Sequence, residues 1–327
     1  APSRQTRPPM NEAPATSPAD APPNAEDERA ADLAGALLAG AGRLAERGGR
    51  AVRRFREEVL VDLDRRLDTI ARSVGETGVD PFGLDPAALR TVSAGAALLY
   101  HVYFRCRTEG VENLPAGPVI LVANHAGQLP IDGVMISAAL LLEGDPPRLA
   151  RSMVDRWVPS VPFVSTLWAR SGVVVGTPEN AARLLASDAA LLVFPEGMAG
   201  ITKTVDRAYQ LQEFGLGFMR LALETGAPIV PIGVVGSEEQ YPTLYNLEHV
   251  GKLAGLPSLP IWLQMIVPGL GLLPLPVRYR IEFGAPMRFS GDADDEDAAI
   301  AQMVAEVRAR IHEILVRQRA ERRSVFW

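Results

Sequence analysis

From residue 80 onward, apolar residues repeat alternately at the spacing of strands and at that of helices. Short apolar runs, which indicate buried strands, lie near 118–123, 172–175, 190–194, 229–235 and 277–283. Apolar residues three and four apart indicate helices near 86–104, 130–142, 160–169, 178–186, 213–225 and 294–320. This alternation predicts an α/β fold in which helices flank a mostly parallel central sheet. We assign residues 80–290 to this domain and expect 291–327 to form an amphipathic helix packed on it.

The chain before residue 80 has a different pattern. Residues 28–79 repeat apolar positions at roughly helical spacing and are predicted to form a helical extension. Its middle is rich in arginine, which fits either the solvated face of a docking helix or a helix lying on anionic lipid. Residues 1–27 are rich in Pro, Ala and acidic residues, without the apolar run of a signal peptide, and we expect a disordered tail.

Composition narrows the classes of function. The 327 residues are 47% hydrophobic, so the chain can bury a substantial core, and the formal charge of −6 argues against general nucleic-acid binding. Cys106 is the single cysteine, which excludes an internal disulfide, and the chain has no cysteine pair at metal-ligand spacing. We therefore expect a protein without a metal site in a reducing compartment, the cytoplasm.

One uncharged stretch, 253–277, is long enough to cross a bilayer. It contains Pro257, Pro260, Pro268, Pro274 and Pro276, and one proline inside a helix already costs about 3 kcal/mol. The stretch is therefore not predicted to be a spanning helix. It is either part of the core or a membrane-seated lip that contacts acyl chains.

The first candidate for chemistry is VILVANHAGQLPID, residues 119–132. The apolar run predicts a strand and Pro130 suits the first turn of a helix, so His125 lies in the loop at the carboxyl end of the strand. Asp132, in that first turn, can reach the imidazole if the loop folds back. A carboxylate on one ring nitrogen fixes the tautomer and leaves the other nitrogen free to accept a proton.

A second strand end also bears an ionisable residue. In LLVFPEGMAG, residues 191–200, the apolar strand stops at Pro195 and exposes Glu196 and Gly197. If the two strands are parallel, His125 and Glu196 face one crevice.

These segments resemble the glycerolipid and lysophospholipid acyltransferase family over roughly residues 80–290. The resemblance rests on Asn124 and His125 with Asp132, on the FPEG of residues 194–197, and on IVPIGVVGSEE, residues 229–239. FRCRTEGVENLP, residues 104–115, is similar to the segment that precedes the first motif in that family. The resemblance implies the fold predicted above and a membrane-associated enzyme of lipid metabolism and phospholipid biosynthesis.

Two departures concern the acceptor. Six residues separate His125 from Asp132 where the family usually has four, and this form resembles the monoacylglycerol- and diacylglycerol-acyltransferase-like branch. GVVVGTPEN, residues 172–180, lacks the arginine that often follows the second block and holds an acceptor phosphate. Both departures favour a neutral or bulkier acceptor lipid over lysophosphatidic acid.

The resemblance also implies a mechanism without an acyl-enzyme intermediate. His125 deprotonates an acceptor hydroxyl, Asp132 orients the ring, and the alkoxide attacks an acyl thioester of coenzyme A or acyl carrier protein. These carriers are co-substrates, and no resident cofactor is expected. Backbone N–H groups near Gly197 are candidate donors to the oxyanion, and Glu196 either holds the acceptor or braces the loop. The predicted substrate-binding residues are Asn124, Gly127, Glu196, Gly197, Lys203 and Arg207.

The anionic carrier requires a local basic patch on an acidic protein. Basic residues surround the motifs in sequence, namely Arg148, Arg151, Arg156, Arg170, Lys203 and Arg207. Each of these residues is alternatively an ordinary surface charge.

The sequence therefore predicts a lipid O-acyltransferase that is peripheral on the inner face of the membrane. Two alternatives stay open: an acyl-thioesterase, in which the same pair activates water, and a lipid-binding protein of the same fold without turnover.

Overall fold

A computed structural model describes residues 53, 55–74, 79–127, 129–155, 164–247, 259–266, 271 and 273–326. The chain divides into two compact units, Ala1–Arg54 and Phe55–Trp327, and all of the described residues except Arg53 belong to the second. The tail predicted at 1–27 and the first part of the predicted helical extension lie outside the described residues, as does most of the apolar stretch before residue 271.

Seven strands of the described residues form the central sheet, in the order β1-β9-β6-β2-β5-β3-β4. Their bounds are β1 Arg107–Glu109, β2 Val119–Ala123, β3 Ala150–Val154, β4 Val174–Val175, β5 Ala190–Val193, β6 Ile229–Val235 and β9 Arg280–Phe283. β7 Thr243–Leu247 and β8 Leu259–Trp262 form a separate antiparallel pair.

Most of the strand pairs in the sheet are parallel. The strands β6, β2, β5, β3 and β4 all run in one direction. β9 pairs antiparallel with β6, and β1 pairs parallel with β9. The predicted α/β fold with a mostly parallel central sheet is therefore confirmed.

Helices cover both faces of the sheet because its central strands are apolar on both sides. In β2, Val119 and Leu121 join one core while Ile120 and Val122 join the other, as the alternation of side chains along a strand requires. The first core is closed by α1 Val61–Ser73, α2 Pro86–Leu98 and α3 Ile131–Glu143. The second is closed by α5 Pro178–Ala186, α7 Gly217–Thr225 and α9 Asp297–Glu321.

Shorter helical segments complete the fold. They are the π-helical turns Phe55–Leu60 and Leu99–Tyr103, α4 Val164–Arg170, α6 Met198–Ile201, α8 Leu263–Ile266 and the 3₁₀ turns Val111–Asn113 and Val205–Arg207. Among the described residues, no helix is long and apolar enough to cross a membrane.

The two segments predicted to flank the domain both contribute to its core. Leu63 and Leu67 of α1 pack into the first core, and Ile300 and Val307 of α9 pack into the second. The division at residues 80 and 291 remains a prediction, because both helices share the core of the unit Phe55–Trp327.

Candidate active site

Three neighbouring strands end at the same edge of the sheet. β6, β2 and β5 are adjacent and parallel, so the segments that follow them lie side by side. These segments begin with Asn124 and His125 after β2, Phe194 after β5 and Gly236 after β6. The crevice predicted from two strand ends thus has a third wall, formed by the segment after β6.

His125 and Asp132 form a hydrogen-bonded pair at this edge. His125 Nδ1 lies 2.7 Å from Asp132 Oδ2, which places the imidazole proton on Nδ1 and leaves Nε2 to accept a proton. The His125 side chain is 13% exposed and the Asp132 side chain is completely buried. The ring can therefore meet a substrate while its carboxylate partner is shielded from water.

The backbone holds the carboxylate of Asp132 in place. Oδ2 also accepts from the Ala126 N–H at 3.0 Å, and Oδ1 accepts from the Gly133 N–H at 2.8 Å. Asp132 lies in the first turn of α3, where the helix dipole favours negative charge. These contacts bring the loop back on itself, so the six-residue spacing between His125 and Asp132 still gives a direct contact.

Glu196 fixes the backbone of His125. Its Oε1 accepts the His125 N–H at 2.9 Å, and its Oε2 accepts the Gln212 N–H at 2.8 Å. The side chain is buried and faces Lys203 Nζ at 3.4 Å. Of the two roles considered for Glu196, these contacts match the brace for the loop, because both oxygens already have protein partners.

Two contacts on His125 were missed from the sequence. The Phe194 ring stacks on the imidazole with centroids 4.1 Å apart and planes 22° apart. At Gly200, a Cβ atom would lie 2.9 Å from the His125 carbonyl oxygen and 3.0 Å from His125 Cβ. Only glycine fits at residue 200, and the MAG that follows FPEG in the sequence was the available signal.

Lys203 is a buried member of the site and has no free charge to offer a substrate. Its Nζ lies 2.8 Å from Glu238 Oε1 and 3.4 Å from Glu196 Oε2, and its side chain is buried. Burial raises the pKa of Glu238, while the Lys203 charge lowers it. The predicted role of Lys203 in substrate binding stays a prediction; in this structure its ammonium contacts the carboxylates of Glu196 and Glu238. Arg207 is exposed on the turn Val205–Arg207, so its predicted role stays a prediction.

Asn124 joins two neighbouring strands, and its predicted role in substrate binding stays a prediction. The side chain is fully buried, its Nδ2 donates to the Val234 carbonyl at 3.1 Å, and its Oδ1 accepts the Val234 N–H at 2.8 Å. Asn124 therefore continues the pairing of β2 with β6 beyond the last residue of β2 and holds the strand end next to His125.

The two predicted glycines differ in their surroundings. Gly127 has φ +81°, and a Cβ there would lie 2.3 Å from Gln240 Nε2, so the close approach at Gly127 is to a protein side chain. Gly197 has φ +52° and open space on its Cβ side, where a substrate can approach. Its N–H donates to the Phe194 carbonyl at 3.0 Å and is therefore not free to bind an oxyanion.

Three of the arginines near the motifs have protein partners away from His125. Arg148 donates to the carbonyls of Pro115 and Gly117, Arg151 pairs with Asp80, and Arg170 pairs with Asp85. Arg156 lies outside the described residues. These three arginines therefore do not form the expected basic patch, because each one connects loops of the fold.

The arrangement supports proton abstraction by a neutral imidazole. Nε2 of His125 is the free basic atom, Asp132 stabilises the imidazolium that forms, and Glu196 and Gly200 set the position of the ring. Within the part of the chain that the structure describes, no cluster of three or more His, Cys, Asp or Glu side chains could hold a metal ion. Fold and site together define an α/β protein with a hydrogen-bonded His–Asp pair at the carboxyl edge of its sheet.

Comparison with known proteins identifies the family to which the chain belongs. The Acyltransferase family model matches residues 105–235, which include β2, β5 and β6 and the segments that follow β2 and β5. An uncharacterised protein of Mycobacterium tuberculosis is 39% identical over 267 residues, which cover 78% of this chain and 74% of that protein. The chain belongs to the acyltransferase family and is an acyltransferase.

More distant similarities extend to proteins with named activities. A chicken (Gallus gallus) protein named "DGAT1/2-independent enzyme synthesizing storage lipids" is 25% identical over 68% of this chain and 62% of its own length. A "probable 1-acyl-sn-glycerol-3-phosphate acyltransferase" of Mycoplasma pneumoniae is 31% identical over 38% of this chain and 47% of its own length. The crystal structure of the 1-acyl-sn-glycerophosphate acyltransferase of Thermotoga maritima has 18% sequence identity and a TM-score of 0.45, covering 72% of this chain and 81% of that one.

Proposed function

We propose that the protein transfers a fatty acyl group from an acyl thioester to a hydroxyl group of a glycerolipid or a related lipid. The observation that carries this proposal is the hydrogen bond of 2.7 Å between His125 Nδ1 and Asp132 Oδ2, which leaves the other ring nitrogen free. An alcohol is a weak nucleophile at neutral pH, and a positioned base usually accelerates its attack by about 10²–10⁴-fold.

The proposed reaction proceeds by direct attack. Nε2 of His125 takes the proton of the acceptor hydroxyl as its oxygen attacks the thioester carbonyl carbon. The tetrahedral intermediate collapses, the carbon–sulfur bond breaks, and the imidazolium returns its proton to the leaving thiolate. The products are an ester and a free thiol, and Asp132 stays ionised and stabilises the imidazolium throughout.

The proposed acceptor is a neutral lipid such as mono- or diacylglycerol. Two observations support it: the second block, residues 172–180, has no arginine, and the chicken relative is named for storage lipids. Lysophosphatidic acid is the competing acceptor, since the Mycoplasma relative bears that name. Coenzyme A and acyl carrier protein are the candidate carriers. Both are anionic, and the proposed cationic contact is Arg207, the exposed basic residue nearest the buried Lys203 in sequence.

We further propose that the enzyme works as a peripheral protein on the inner face of the membrane. The lipid acceptor resides in a bilayer, whereas the carrier arrives from water, and an enzyme bound at the surface meets both.

Product analysis tests the proposed function. The protein is incubated with long-chain acyl-CoA or acyl carrier protein and with lysophosphatidic acid, a lysophospholipid, mono- or diacylglycerol or a long-chain alcohol, and the lipids are identified by mass spectrometry. Formation of an ester that is lost with His125→Ala supports transfer and names the acceptor. Free fatty acid without ester would mean a thioesterase, and no product with any pair would favour a lipid-binding protein.

A further inference from the structure

Large exposed apolar side chains concentrate in segments that hydrogen bonds join to the active-site loops. They come from five segments: 98–104, 129–134, 243–247, 259–266 and 273–277, which we call the apolar rim. Its large exposed side chains are Leu98, Val102, Leu129, Val134, Tyr245, Leu247, Leu263, Met265 and Leu273. Among the described residues, these nine form the majority of the large apolar side chains that are exposed, although the five segments are short.

The rim is also almost free of charge. Its five segments contain one charged residue, Asp132, and that carboxylate is buried against His125. In the whole chain, 22% of residues are charged. A surface that keeps large apolar side chains and omits charges is typical of a site that contacts an apolar partner.

Hydrogen bonds join the rim segments to one another and to the active site. Tyr103 Oη donates to the Pro274 carbonyl at 2.5 Å, which ties the π-helical turn to residues 273–277. The Gln240 carbonyl accepts from the Leu275 N–H at 2.9 Å and from Gln264 Nε2. The side chain of Gln240 in turn lies against Gly127, two residues after His125. These rim segments are therefore joined through Gln240 to the loop that carries His125.

The β7–β8 hairpin is attached to the segment that follows β5. Asn246 donates to the Thr202 carbonyl in the segment that follows Gly200. The pairing of β7 with β8 is irregular between Thr243 and Tyr245, so Thr243 is buried whereas Tyr245 and Leu247 are exposed. The irregularity thus turns two large apolar side chains outward beside the site.

We infer that the apolar rim is the surface by which the protein docks on a lipid bilayer, with the base facing the membrane. This inference rests on the proposed function, because a lipid acceptor must enter the site from the bilayer. The occupant we infer is a zwitterionic lipid surface, since the five segments contain no lysine or arginine and the adjacent Arg105 already donates to the Pro276 carbonyl.

Vesicle sedimentation with the full chain and phosphatidylcholine vesicles tests the docking surface. The hairpin variant carries Tyr245→Gln, Leu247→Gln and Leu273→Gln, at positions between 42% and 71% exposed. The control variant carries Val61→Gln, Leu167→Gln and Val316→Gln, at positions outside the rim that are between 48% and 66% exposed. A second rim variant, Leu98→Gln with Val102→Gln, changes one face of a helical segment and decides the question if the hairpin variant does not fold.

The rim variants should lose vesicle binding by about tenfold or more, because exposed apolar area no longer leaves water, and the control should stay within about twofold of wild type. Wild-type protein that stays in the supernatant, or rim variants that sediment like wild type, would overturn the inference. Loss of a dimer in gel filtration without a change in vesicle binding would also overturn it, since the rim would then face a second copy. Sedimentation does not require turnover, so rim-dependent binding without transfer would contradict only the proposed function.

Discussion

Replacing Glu196 by glutamine distinguishes two roles for this side chain: a brace for the His125 loop, or a contact that binds the acceptor. The carboxylate accepts the His125 N–H with one oxygen and the Gln212 N–H with the other, at 2.9 Å and 2.8 Å. Glutamine has a single carbonyl oxygen, so its amide nitrogen must face either one of these donors or Lys203. The variant therefore loses one charge-assisted hydrogen bond and places two donors against each other.

The cost can be worked from these contacts. A hydrogen bond to a charged group contributes about 1.5–3 kcal/mol, and breaking a buried ion pair costs about 3–5 kcal/mol. Lys203 keeps Glu238 as a partner at 2.8 Å, so only part of the second cost applies. We expect Glu196→Gln to lower the free energy of unfolding by about 2–4 kcal/mol, which a fold of typical stability survives.

Urea unfolding and steady-state kinetics with varied acceptor measure both consequences. As a brace, Glu196 positions the base, so kcat should fall at least tenfold while the KM for the acceptor changes little. The control is Glu213→Gln, an exposed position in the same segment as Gln212, where neither quantity should change. An unchanged free energy of unfolding together with a raised KM and the wild-type kcat would refute the reasoning, because Glu196 would then bind the acceptor.

Three further substitutions test the site. Asp132→Asn should lower kcat by about 10²–10⁴-fold in the acyl-transfer assay. Both carboxylate oxygens accept hydrogen bonds, one from His125 and Ala126 and the other from Gly133, whereas the amide nitrogen of asparagine cannot accept one. Wild-type activity in this variant would contradict a catalytic role for the pair. Gly200→Ala should lower kcat/KM at least tenfold by displacing His125, whereas Gly215→Ala, whose Cβ meets nothing closer than 3.8 Å, should not. Burial raises the pKa of Glu238, so its proton is held more tightly in the folded state and the free energy of unfolding falls as pH rises above about 4.5. Glu238→Gln should flatten this pH dependence when the free energy of unfolding is measured by urea titration. An unaltered slope would exclude Glu238 as its source.

Strands and helices with a clear apolar pattern could be predicted closely from the sequence. α5 and β6 have the predicted bounds, Pro178–Ala186 and Ile229–Val235, because each has an unbroken pattern and α5 begins with a Thr cap and a proline. Four strands were missed: β1, β3, β7 and β8. β1 consists of Arg107–Glu109, and β3 carries the buried Arg151, whose ion pair with Asp80 exists only in the folded protein.

The contact between His125 and Asp132 could be predicted because both residues lie next to elements with a strong pattern. His125 follows a buried strand, and Asp132 opens a helix, so their contact needed only a short loop. The roles of the surrounding polar residues could not be predicted, because they depend on long-range packing. Asn124 pairs with Val234, and Lys203 is enclosed by Glu196 and Glu238, contacts that no local spacing indicates.

Acceptor-dependent release of free thiol from long-chain acyl-CoA tests the central claim most directly. Each acceptor lipid is added to wild type and to His125→Ala protein, and the thiol is followed with time. We expect thiol release to require an acceptor and to fall by about 10²–10⁴-fold in the His125→Ala variant. Release that proceeds equally without acceptor, or that is unaffected by His125→Ala, would contradict base-catalysed acyl transfer at His125.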